Sequence, residues 1–208
     1  MNLWFSGLLL VVGLSMSSAD PTEEECRVMT TPKATFTPMY GRWTFIMGWS
    51  DNPVFDELFR TTRSQWIDFI HSPTDTPNEI HEDVGLKDST RCKYYSTVLT
   101  VVGNSAISRR SNFTCTFHSL PTCPYCLLYH TTAISNNNLV APKTTPTGVQ
   151  ELASYKTYYL MATRPALKPE HIQYAKDQAK CLGFKEEPTF HFDPLNKANS
   201  LCDKERGD

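Results

Sequence analysis

The sequence lacks an excess of either charge. Lysine and arginine number 20, aspartate and glutamate 22, and the net charge is −2. No basic cluster gathers along the chain, which excludes a nucleic-acid partner, because phosphate recognition needs a concentrated positive field. The patterns G-x-S-x-G and H-E-x-x-H and the phosphate loop are missing. No other set of catalytic groups replaces them, so the expectation is a protein that is not an enzyme and uses no cofactor. Internal repeats and low-complexity linkers are also missing. Long apolar runs are scarce: Leu8-Leu9-Leu10-Val11-Val12-Gly13-Leu14 is too short to span a bilayer, and stable membrane insertion is not expected. Small residues follow at Ser17-Ser18-Ala19. Together they read as a secretory signal peptide over residues 1–19, although no Lys or Arg precedes the run. Residues 20–208 then form a single domain.

Seven cysteines follow that leader: Cys26, Cys92, Cys115, Cys123, Cys126, Cys181 and Cys202. In an oxidising compartment most of them pair, and the odd number leaves at least one over. Asn112-Phe113-Thr114 is a glycosylation sequon, in keeping with secretion. Cys123-Pro124-Tyr125-Cys126 has the form of a redox active site, but that chemistry needs a helix after the motif. Leu127-Leu128-Tyr129-His130-Thr131-Thr132 reads as a strand instead. A disulfide from Cys115 to Cys123 or Cys126 is the expectation, with the other left as a thiol. A metal site is not expected, since no second Cys/His pair stands at ligand spacing.

Glycine is scarce, at 9 residues, and aromatics make up 12% of the chain. Aromatic-rich, β-leaning chains of this size enclose a pocket. Strands are predicted over 43–49, Ser64–His71, 93–102, 106–118, 126–133 and 155–163, with a short one at 149–152. Residues 54–60 read as either a short helix or an irregular lid, and 20–38 as a polar arm lying on the fold. Turns fall at 73–77, 103–104, 121–124 and 136–138. One element changes period: Ile172, Ala175, Ala179 and Leu182 stand at helical spacing over 169–182, with Pro169 in the first turn and Gly183 at the cap. A meander of antiparallel strands closes most economically as an up-and-down barrel, which leaves no open edge.

Tyr40-Gly41-Arg42-Trp43 resembles the G-x-W signature that opens the lipocalin barrel. Ala162-Thr163-Arg164-Pro165 resembles the basic position that follows the last lipocalin strand. Arg91-Cys92-Lys93-Tyr94, Ile107-Ser108-Arg109, Lys180-Cys181-Leu182 and the late Cys202 are similar in spacing and type to orosomucoid-like lipocalins. The wording is closest to a fish branch that binds saxitoxin, tetrodotoxin or tributyltin. The resemblance implies an all-β fold with one C-terminal helix, built on an eight-stranded antiparallel barrel. It implies disulfides Cys26–Cys181 and Cys92–Cys202, and Arg164 packed over the Trp43 ring as a cation on an indole face.

For the pocket, alternation puts Trp43, Phe45 and Met47 on one face of the first strand, and Tyr159 and Met161 on one face of the last. Tyr159, Met161 and Arg109 fall at positions that line the pocket in the orosomucoid-like proteins, and Tyr95 and Phe117 join them as candidates. A guanidinium toxin needs a buried carboxylate, for which Asp68 is one candidate. An organotin compound can use a thiolate or an imidazole. The implied function is a monomeric, secreted carrier of a small hydrophobic or toxic ligand. Alternatives are an immune or acute-phase modulator of orosomucoid type, glycosylated at Asn112, and an enzymatic lipocalin of prostaglandin D synthase type working through Cys115.

Overall fold

The protein is described from a computed structural model, which covers residues 20–36, 40–110, 113–135, 153–185 and 187–203. The leader, the sequon residue Asn112, the turn at 136–138 and the strand at 149–152 lie outside the described residues.

Eight strands follow one another in space as they do in sequence. They are β1 (Gly41–Ser50), β2 (Ser64–His71), β3 (Glu79–Lys87), β4 (Cys92–Val102), β5 (Ser105–Arg110), β6 (Phe113–Ser119), β7 (Cys126–Ser135) and β8 (Ala153–Ala162). All neighbours are antiparallel, and β1 closes the barrel by pairing with both β8 and β2. A two-residue strand, β9 (Phe190–His191), adds to β1 where that strand leaves β2. Helix α3 (Pro169–Cys181) packs outside. It starts at a proline, whose missing N–H costs nothing in a first turn.

Trp49 and Tyr158 on the barrel meet Ala175, Ala179 and the fully buried Gln178 on α3. Gln178 meets its hydrogen-bonding needs within this seam. Its Oε1 accepts from the Tyr158 hydroxyl at 2.6 Å, and its Nε2 donates to the carbonyls of Met29 and Pro121.

Several expectations are corrected. The run 106–118 is two strands, β5 and β6, with Arg110 and Phe113 as partners. Strand β3 was not predicted. It alternates Ile80, Glu82, Val84 and Leu86 on its buried face, and the glutamate breaks the apolar period that would have revealed it. The arm at 20–38 contains a helix, α1 (Glu23–Thr30), started by a capping box in which Thr22 and Glu25 satisfy each other's backbone N–H. Of the two readings offered for residues 54–60, the short helix is the one observed: α2 (Pro53–Thr61), whose first turn is capped by Asn52.

Cys26 is bonded to Cys181, tying α1 to α3, and Cys92 to Cys202, tying the tail to β4. The third disulfide joins Cys123 to Cys126, so Cys115 remains a thiol and the expected bridge from Cys115 does not form. Cys115 is held in β6 opposite Ser108 and Ala133, whereas Cys123 and Cys126 flank the turn that precedes β7.

Candidate functional site

A cavity of about 320 Å³ lies inside the barrel. Period-two alternation supplies its wall: Gln65 and Ile67 from β2, Glu82 and Val84 from β3, Tyr95 and Thr97 from β4, and Ser108 from β5. Phe113, Cys115 and Phe117 come from β6, Tyr129 from β7, and Tyr159 and Met161 from β8. Phe117 and Tyr129 meet edge to face at 5.9 Å, an arrangement that lines a pocket with rings without collapsing it.

Several polar groups stand on this wall, and Gln65, Glu82, Ser108 and Tyr129 among them are buried. Burial pushes the Tyr129 hydroxyl well above its ordinary range, and the negative field of Glu82 pushes it further. Tyr159 is raised chiefly by burial, against a hydrogen bond with Thr157 that lowers it, with Cys115, Tyr95 and Tyr155 adding to the rise. Burial and the nearby Cys115 raise Tyr155 to about 12. These phenols are therefore neutral at physiological pH and serve as hydrogen-bonding groups. Thr97 and Ser108 share a hydrogen bond of 3.0 Å between their hydroxyls. Among the described residues, no group of three His, Cys, Asp or Glu side chains gathers as a metal site.

The predicted pocket residues divide into two sets. Tyr95, Phe117, Tyr159 and Met161 line the cavity. Arg109 does not: its neighbour Ser108 faces inward, so alternation turns Arg109 to the exposed outer face. Phe45 points into the barrel beside the cavity without lining it, fully buried, stacked on Phe190 at 4.4 Å and tilted against Tyr159 at 5.4 Å. Its ring fills the space beside Gly48, where a Cβ would lie 2.3 Å from Cζ.

Met47 is on the other face. The register runs Phe45↔Met161 and then Met47↔Leu160, so one residue is inserted at Ile46 and the alternation reverses. A β-bulge of this kind cannot be read from an alternating pattern. Asp68 also faces outward, 3.6 Å from Arg42, which itself lies 4.2 Å over the Trp66 ring. The buried carboxylate on the cavity wall is Glu82. Arg164 lies over the Tyr125 ring at 5.7 Å, and Trp43, the partner the resemblance implies for it, is buried.

Sequence reasoning missed Gln65, Ile67, Val84, Thr97, Ser108, Phe113 and Tyr129 along with Glu82. Period-two alternation was a signal for part of this set, since Thr97 shares a face with Tyr95 on β4 and Phe113 with Phe117 on β6.

No protein-family model matches the chain, and no curated protein matches it by sequence. Solved structures do match its backbone. The siderocalin Ex-FABP, at 10% identity, covers 74% of this chain and 93% of its own, with a TM-score of 0.54. A dog lipocalin allergen, at 14% identity, covers 72% and 90%, with a TM-score of 0.51. The odorant-binding protein OBP1, at 13% identity, covers 76% and 89%, with a TM-score of 0.50. At such identities the likeness is one of backbone path, and the chain is established as having the lipocalin fold.

Proposed function

We propose that this chain is a secreted lipocalin that carries a small, largely apolar molecule in its barrel. The observation that carries this reading is the 320 Å³ cavity, walled by Tyr95, Phe113, Phe117, Tyr129 and Tyr159 and holding a few placed polar groups. The siderocalin and the odorant-binding protein among the similar structures support it, since their names describe ligand binders. Secretion rests on the three disulfides and on the leader-like residues 1–19. No described helix is long and apolar enough to cross a membrane.

The cargo classes implied by sequence resemblance find different partners on this wall. A soft organotin centre would take the Cys115 thiol, and a guanidinium toxin would take the Glu82 carboxylate. Titration with a neutral apolar dye, tributyltin and tetrodotoxin, read by quenching of intrinsic fluorescence, tests both the reading and the cargo. Saturable quenching by the dye, displaced by one of the toxins, is the expected outcome. Cys115→Ser should weaken tributyltin selectively, and Glu82→Gln should weaken tetrodotoxin selectively. A folded protein that binds none of the three saturably would overturn the carrier reading.

A second reading, thiol catalysis by Cys115, has in its favour that this thiol lies on the cavity wall. A reactive thiolate is stabilised by a nearby cation or a helix N-terminus. The phenols Tyr155 and Tyr159 lie within electrostatic reach of Cys115.

A further inference from the structure

Strand β4 runs for 11 residues and β5 for 6. Among the described residues the two are laddered only at Thr100↔Ile107, Val101↔Ala106 and Val102↔Ser105, next to their shared turn. Beyond that point each keeps its other neighbour. Ser108, Arg109 and Arg110 remain paired with β6, and β4 remains paired with β3 as far as Cys92. Among the described residues no backbone ladder joins the two strands beyond Thr100 and Ile107, which leaves a notch in the wall between them.

The cavity lies directly behind this notch. Thr97, Ser108 and Phe113, which line the cavity, flank it, and Tyr95 is 42% exposed although it lines the cavity as well. The opposite side of the same rim is filled. Phe59 of α2 is buried against Phe45 and Tyr159, and Phe55 stacks on Tyr155 at 4.5 Å. Across the notch itself, the Thr97 and Ser108 hydroxyls meet at 3.0 Å, and Ser108 is only 5% exposed.

We propose that the notch between β4 and β5 is the entrance to the cavity, and that the Thr97–Ser108 hydroxyl pair is its latch. Parting another pair of neighbouring described strands breaks a longer run of backbone hydrogen bonds. Opening it here breaks one neutral side-chain bond, whose net worth is small. The exposed Tyr95 ring offers an apolar ligand an aromatic surface at the threshold. The entrance serves the carrier reading and can fail separately from it.

Cys115 reports access to the cavity without any cargo, because its thiol lines the wall. The probe is N-ethylmaleimide, which is small and neutral. Thr97→Val keeps the side-chain shape, breaks the latch and leaves Ser108 untouched beside Cys115. It should speed alkylation of Cys115 about fivefold, the factor that one ordinary hydrogen bond carries. Thr97→Trp should plug the notch and slow the reaction, while Phe59→Ala on α2 should leave the rate unchanged.

An unchanged rate in Thr97→Val, or acceleration in Phe59→Ala alone, overturns the proposal. Stopped-flow binding of the neutral dye gives the second measurement. A latch raises association and dissociation rates together and moves the affinity little, whereas a mere lining role changes dissociation alone. If the alkylation pattern holds and no dye binds saturably, the entrance stands and the carrier reading fails.

Discussion

Gly85 and His130 each concentrate a physical constraint at one position. Gly85 lies opposite Trp66 across the β2–β3 pair, and a Cβ there would come within 2.3 Å of the indole Cε2. The ring cannot easily move aside, because its Nε1 donates to the Cys202 carbonyl at 2.8 Å and Arg42 covers its face. Gly85→Ala should therefore destabilise the protein by about 1–3 kcal/mol, the usual cost of overpacking, read as a lower urea midpoint. His130 faces outward toward Phe184, and its Nε2 is buried with no hydrogen-bond partner among the described residues. Burial holds its pKa below the usual imidazole value, with the charges of Lys156 and His118 lowering it further and Asp51 opposing them. The unfolded chain then binds the proton more readily. Stability from His130 is complete above its unfolded pKa of about 6.5 and is lost as pH falls through the depressed folded value. Urea unfolding at a series of pH values should show His130→Gln flattening the acid slope just below neutrality. An identical slope in both proteins would remove His130 from the account.

At the scale of the element, how far a strand could be read depended on which residue stood at its inward positions. Strand β4, with Tyr, Thr and Val in alternation, declared itself, and so did α3 through the apolar spacing of Ile172, Ala175 and Ala179. Strand β3 stayed hidden because Glu82 occupies an inward position, which is also why it matters to the site. On β1 the pattern was read correctly as a strand and wrongly as a single face. The insertion at Ile46 sends Phe45 toward the barrel interior and Met47 to the opposite face. The same two-residue period, counted from Ser108, turned Arg109 out of the pocket. The Met47 error is one of phase, in which the period was right and a bulge decided the face, whereas Arg109 was implied by resemblance and its place on β5 turns it outward.

At the scale of the whole molecule, the two long disulfides tie α1 to α3 and the segment around Cys202 to β4. Cys26–Cys181 spans 155 residues and Cys92–Cys202 spans 110, while Cys123–Cys126 spans 3. In the chain-entropy account the two long closures contribute roughly 5 kcal/mol each and the short one roughly 1.5 kcal/mol. Paired Cys→Ser variants should follow that order in thermal unfolding, with Cys123→Ser/Cys126→Ser the mildest. A larger loss from the short bridge than from either long one would sink the ordering.

The amino-acid sequence by itself determined the barrel, its antiparallel meander and the late helix, because hydrophobic period and turn chemistry are local properties. The G-x-W segment and the cysteine spacing carried the resemblance to a pocketed carrier. What only the tertiary structure decided was which side of each strand faces inward, which cysteine stays a thiol, and where the wall opens. Those outcomes depend on register between strands distant in sequence: the bulge at Ile46, the pairing of Cys115 with Ser108, and the parting of β4 from β5 after Thr100. Glu82 and Cys115 became neighbours of the same cavity only when the sheet closed, since no spacing along the chain relates them.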